Sequence, residues 1–198
     1  MPPAMQEIPR IGVLGSGRGT NFKAILDAIE ADELTCEPRI VISDVATAPI
    51  LELGRAAGIR AEFVEPGPKK SRLSPEAERR VIELLEGASV DWVVLAGFMR
   101  LVGKRLLEAY EGRMVNIHPS LLPKFRGLEA WRQALEAGEE VTGCTVHYVD
   151  AGMDTGSIIA QAEVPVEEGD TPETLHARIQ QAEHRLLPDA LRMVFSRT

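Results

Sequence analysis

Cysteine is scarce in this 198-residue chain: Cys36 and Cys144 are the only two, and no C-x-x-C spacing exists. A cysteine zinc site and a dithiol redox pair are therefore not suggested, and the two are read as reduced structural thiols. Long hydrophobic runs are missing as well. No stretch is long enough to span a bilayer, and the opening MPPAMQEIPR lacks the apolar centre of a secretory leader. The expectation is a soluble, cytoplasmic protein with no membrane partner. Positive charge is in deficit, with 22 Lys and Arg against 30 Asp and Glu and a net charge of −8. Each phosphate contact to a nucleic acid needs a cation, so no nucleic-acid partner is expected. Lys69, Lys70 and Arg72 make one small basic patch. Internal repeats and low-complexity linkers are also lacking.

Apolar residues are plentiful, at 44% of the chain, and suffice for one well-packed core. Residues 1–198 are read as a single domain. Short β-rich apolar runs alternate with helical patterns. IGVLG (11–15) precedes a helix over 21–31, where Phe22, Ile25, Leu26 and Ile29 recur at helical spacing. RIVIS (39–43) precedes a helix with Pro49 near its start and Gly58 after its end. AEFVE (61–65), DWVVLAGF (91–98) and RMVNI (113–117) continue the series, with Ser74-Pro75 opening a helix between the first two. Alternation of this kind predicts an α/β fold with a doubly wound, mostly parallel sheet. After Gly127 the pattern changes. A helix near 128–138 leads to GCTVHYVD (143–150) and GSIIAQAEVPV (156–166), joined by a short glycine-rich loop. That loop predicts an antiparallel C-terminal part of the sheet. Asp170-Thr171-Pro172 should cap a long last helix.

VLGSGRGTN places Gly15, Gly17 and Gly19 between a strand and a helix. Bare glycines expose backbone N–H groups to a phosphate, and the helix start adds favourable partial charge. The G-K-[ST] ending of a P-loop is absent, and the glycine spacing is not that of the dinucleotide fingerprint. The loop is read as a phosphate monoester binder. Asp44, at the end of the second strand, is read as a turn or cap residue rather than a ribose-binding acid.

VNIHPSLLPKFRG (115–127) ends a strand with Asn116 and His118 two apart, hence on one face. Pro119 holds His118 extended. DAGMDTG (150–156) offers a carboxylate in a second glycine-rich loop. An amide and an imidazolium can both donate to a developing oxyanion, and a carboxylate beside the imidazole should raise its pKa and keep it charged. Such a set suits acyl transfer to an amine that is itself the nucleophile, without a serine or cysteine.

These pieces, with VVLAGFMRLV and QQAEHRLLP, resemble the folate-dependent phosphoribosylglycinamide formyltransferases from about Ile11 to about Pro188. The resemblance implies transfer of a formyl group from 10-formyltetrahydrofolate, as cosubstrate and without a metal, to the amine of glycinamide ribonucleotide. It implies a catalytic set of Asn116, His118 and Asp154. It puts the substrate phosphate at Gly19, Thr20 and Asn21, and the rest of the ribonucleotide near Gln180 and Glu183. The folate would meet Met99, Arg100, Leu101 and Val102, Asn116, and a family arginine matched by Arg72, with Lys69 and Lys70 as alternatives. Residues 1–100 would form a phosphate-binding half, and 101–198 a catalytic and folate-binding half. KFRG is similar to methionyl-tRNA formyltransferases too. Those would be expected to carry a C-terminal tRNA-binding domain and a basic surface, which an acidic chain ending at Thr198 does not suggest. A formyltetrahydrofolate hydrolase would be expected to carry an extra N-terminal domain. Monomer and homodimer both stay open.

Overall fold

The computed structural model describes residues 7–196, so the start of the N-terminal stretch read above for a leader lies outside them. Five strands come first: β1 (Arg10–Leu14), β2 (Glu37–Ser43), β3 (Arg60–Phe63), β4 (Trp92–Leu95) and β5 (Met114–His118). Between them lie α1 (Thr20–Glu30), α2 (Pro49–Ala56), α3 (Pro75–Gly87) and α4 (Lys104–Ala109). Then follow α5 (Ala130–Glu136), β6 (Val141–Tyr148), β7 (Ile158–Pro165) and α6 (Pro172–Phe195).

The seven strands form one sheet in the order β3-β2-β1-β4-β5-β6-β7. The first five are parallel, and β6 and β7 run antiparallel, as the glycine-rich loop between them predicts. Parallel strands must be covered on both faces. Accordingly every residue of β4 is buried. One face packs Phe22, Ile25, Ile50 and Leu51 of α1 and α2, with Leu187 and Leu191 of α6, against Val13, Val94 and Val115. The other packs Val81, Leu85 and Leu106 of α3 and α4 against Leu14, Val93 and Met114.

Local chemistry sets the ends of the elements. Ser74 caps α3 by accepting from the Ala77 amide, with Pro75 in the first turn. Thr171 and Thr174 form a reciprocal capping box at the start of α6. The run DWVVLAGF was expected to be strand throughout, but β4 stops at Leu95. Gly97 takes a positive φ of 74°, which turns the chain out of the sheet. Among the described residues no helix is long and apolar enough to cross a membrane.

The strand order reverses beside β1, whose neighbours are β2 and β4. The carboxyl ends of the strands at such a reversal are the usual ligand position in sheets of this kind. The loops after β1, β4 and β5 all leave from that edge.

Candidate active site

Asn116 and His118 alternate onto one face of β5, and the antiparallel register sets His147 and Thr145 of β6 directly opposite them. Asn116 Nδ2 donates to His147 Nε2 at 3.1 Å, and His147 Nδ1–H donates to the Tyr148 carbonyl at 2.8 Å. His118 Nε2–H donates to the Phe125 carbonyl at 2.9 Å, which leaves Nδ1 as its second functional edge. The loop after β5 is fastened to the sheet by Thr145, whose hydroxyl donates to the Ser120 carbonyl and accepts from the Leu122 amide. The loop that follows Pro119 is thus fixed before any ligand is present.

Asp154 reaches these residues by an indirect path. Val149 pairs with Met114 at the start of β5, so the loop after β6 doubles back along the sheet face. Asp154 adopts a left-handed φ of 53°, and its Oδ2 accepts from the Gly127 amide at 2.8 Å. The same oxygen lies 3.4 Å from His118 Nδ1, and Oδ1 lies 3.7 Å from His147 Nε2. Asn116, His118 and Asp154 do converge.

The charge on His118 differs from the expectation. Burial pushes the imidazole below its ordinary 6.5, and the opposing pull of Asp154 and the Phe125 carbonyl does not make up the difference. His118 is therefore neutral at pH 7 in the resting site, not an imidazolium. For Asp154, burial acts to raise the pKa, but neighbouring His147, the His118 charge and the Gly127 amide outweigh it, so the carboxyl titrates below its usual range.

His147 was not singled out from the sequence. Its signal was present, since T-x-H on β6 mirrors N-x-H on β5. Only the register between the two strands reveals that the two pairs face each other.

The glycine loop turns into α1 at Gly19, whose φ is 76°; a Cβ there would sit 2.7 Å from Ile50. No side chain caps this helix start. Asn21 and Glu183 are both buried, and Asn21 Nδ2 donates to Glu183 Oε2 at 3.0 Å across the α1–α6 interface. Asn21 Oδ1 is buried and accepts no hydrogen bond from the described residues. Burial raises Glu183 to about 7, although the Asn21 bond works against this. Gln180, one turn earlier on α6, accepts from Arg18 Nη2 at 3.3 Å. Gly19, Thr20, Asn21, Gln180 and Glu183 thus gather at one place, which joins the two sequence halves. His176 stacks flat on Trp131 at 3.7 Å beside them, another pair the sequence did not flag.

The segment 99–102 lies at the end of β4, with Met99 and Leu101 exposed. Arg72 sits beside it through a bridge to Leu101. Arg100 is in this segment too. Its guanidinium is turned inward, bonded to Asp44 Oδ2 and to the Lys69 carbonyl, which leaves its main chain to meet a ligand. Asp44 is occupied in the same way and is not positioned as a ribose-binding acid. Among the described residues no group of three or more His, Cys, Asp or Glu is placed to hold a metal ion.

The sequence matches the family described as Formyl transferase over residues 9–191. It is 40% identical to the phosphoribosylglycinamide formyltransferase of Bacillus subtilis (strain 168), over 93% of this chain and 94% of that one. It is 43% identical to the trifunctional purine biosynthetic protein adenosine-3 of Homo sapiens, over 96% of this chain but only 18% of that protein's length. The chain thus spans a small part of the trifunctional relatives it matches. The crystal structure of glycinamide ribonucleotide transformylase 1 from Symbiobacterium toebii superposes with a TM-score of 0.90 at 50% identity, covering 96% of this chain and 88% of that one.

Proposed function

The chain belongs to the formyl transferase family, and from that premise we propose that it moves the formyl group of 10-formyltetrahydrofolate to the amine of glycinamide ribonucleotide, in purine biosynthesis. The full-length relative from Bacillus subtilis carries the name of this activity. The observation that carries the reading is the meeting of Asn116, His118 and Asp154 at the carboxyl edge of the sheet, from which the glycine loop and the 99–102 segment also leave. The glycine loop offers a helix start for a phosphate. The 99–102 segment offers a main-chain edge and exposed apolar side chains for a flat ring.

In this reading the phosphate binds the free amides around Gly19, Thr20 and Asn21. Glu183, Gln180 and the unpaired Asn21 Oδ1 take the sugar hydroxyls and the glycinamide. Met99 to Val102 line the pterin pocket, Asn116 reaches its reacting end, and Arg72 meets the acidic tail. The boundary near residue 100 separates these roles only in part, because Gln180 and Glu183 serve the first half's loop.

The neutral amine attacks the formyl carbon, and the carbonyl oxygen becomes an oxyanion. The Asn116 amide donates to that oxygen. His118 begins neutral and so acts as a proton acceptor at Nδ1. Asp154 stands beside Nδ1 and stabilises the imidazolium as it forms. The proton then passes to the departing folate nitrogen, from His118 directly or through a water. No step draws on a metal. The cytoplasm is the compartment proposed for this reaction.

The test is an absorbance assay for deformylated folate, run with glycinamide ribonucleotide and again without it. The reading requires product only when the acceptor is present. Equal product in both runs makes the protein a hydrolase and overturns the assignment.

A further inference from the structure

Asp44 directly follows β2 and is buried, yet it belongs to neither substrate site described above. Its two carboxylate oxygens hold two different loops. Oδ1 accepts from the Ser16 hydroxyl of the glycine loop at 2.5 Å, and Oδ2 accepts from Arg100 Nε at 2.5 Å. Ser16 Oγ in turn accepts from the Met99 amide at 2.9 Å. Arg100 Nη1 continues the chain to the Lys69 carbonyl at 2.6 Å, and the Leu101 amide donates to the Ser71 carbonyl at 2.9 Å. One carboxylate therefore joins the loops after β1 and β4 and, through Arg100, the loop that carries Lys69, Lys70 and Arg72. The ion pair is largely withdrawn from water, with side-chain exposures of 14% for Arg100 and 4% for Asp44. Its polar atoms have few alternative partners, so the arrangement is held in one geometry.

We propose that Asp44 is a positioning residue for the formyl donor: it fixes the 99–102 main chain against the glycine loop, so that its backbone edge stands ready for the folate ring. The inference rests on the folate reading of that segment given above. The amides that would hold the acceptor phosphate do not depend on Asp44. The strand-end turn keeps its own bonds, from Gly15 N to the Ile42 carbonyl and from Ser16 N to the Gly97 carbonyl. Loss of Asp44 should therefore weaken the donor selectively. Order in the free protein is what a binding loop contributes, because disorder must otherwise be removed at the moment of binding.

The experiment measures tetrahydrofolate and glycinamide ribonucleotide binding by calorimetry, with steady-state kinetics and thermal unfolding alongside, for the wild type, Asp44→Asn and Ser16→Ala. Asp44→Asn is expected to weaken tetrahydrofolate and raise the donor KM by about tenfold, with kcat lowered less and acceptor affinity within about twofold. Ser16→Ala removes the link to Met99 and the hydroxyl bond to Asp44 but keeps the Asp44–Arg100 pair, and should weaken the donor by about threefold. It also provides the test if Asp44→Asn does not fold. Equal weakening of both ligands, or unchanged tetrahydrofolate affinity in the folded variants, overturns the proposal, as does a lowered melting temperature with both KM values intact. A wild type that binds tetrahydrofolate without transferring its formyl group to the acceptor sinks the reaction assigned above, while the Asp44 comparison still reads out. A wild type that does not bind tetrahydrofolate overturns both.

Discussion

Asp154 is where single-residue chemistry can be tested most directly. Its carboxylate touches His118 and the Gly127 amide, and in the proposed reaction it stabilises a charge that appears only during turnover. Asp154→Asn should lower kcat by about 10²-fold or more while leaving ribonucleotide affinity nearly intact, as measured by calorimetry. The pH profile gives a second check. kcat/KM should rise with pH through the His118 pKa, which lies below 6.5. Asp154 raises that pKa, so its removal should move the acid limb to lower pH; an unmoved limb would take Asp154 out of this role. Glu183 offers a prediction of opposite kind. Its folded pKa of about 7 lies above its ordinary 4.5, so the native state holds a proton that the unfolded chain releases first. Its stabilising contribution is full below 4.5 and is lost as pH rises through about 7. Glu183→Gln abolishes that decline. Urea unfolding at pH 5 and pH 8 should show the variant gaining on the wild type, at the higher pH, by on the order of 2–3 kcal/mol, while ribonucleotide affinity falls. At this scale the sequence showed Asn116 and His118 clearly, because strand alternation is a local rule. The neutrality of His118 was not legible, since burial is a property of everything packed around it.

Among the elements, the β6–β7 hairpin and its loop carry the site. Gly156 lies where the chain enters β7, and a Cβ there would fall 1.7 Å from the Tyr148 carbonyl oxygen. Backbone is in the way, so relief requires the hairpin to shift. Gly156→Ala should cost about 2–4 kcal/mol in chemical unfolding. It should also reduce turnover beyond what the folded fraction explains, because the displaced loop carries Asp154. The hairpin was foreseen from its glycine-rich joint, and the helix starts at Ser74 and Thr171 from their capping residues. All of these are signals within a few positions. The run through Phe98 misled because apolar character continues past the point where Gly97 turns the backbone. The fold-back that brings Asp154 to His118 was not legible either, because it depends on where Gly127 lies.

At the scale of the whole molecule, the proposed acceptor side lies across an interface between α1 and α6. Asn21 belongs to α1 and Glu183 to α6, joined by one buried hydrogen bond. A ligand that binds there holds both ends of the chain together and should stabilise the protein globally. Glycinamide ribonucleotide at a hundred times its Kd should add about 2.7 kcal/mol in thermal or urea unfolding. A dinucleotide at equal concentration should add nothing, since the glycine spacing fits none; stabilisation by the dinucleotide instead would reopen the reading as a nucleotide-binding module. The sequence by itself determined the order of strands and helices, the parallel-then-antiparallel sheet and the residue types of the proposed catalytic set. Periodicity, capping and alternation act over short spans, and the motif resemblance is likewise written in the chain. Only the tertiary structure decided that His147 faces Asn116, that His118 rests neutral and that Asp44 binds Arg100 rather than a ligand. Each of those depends on register, burial or contact between residues far apart in the chain, and such facts exist only once the sheet has closed around them.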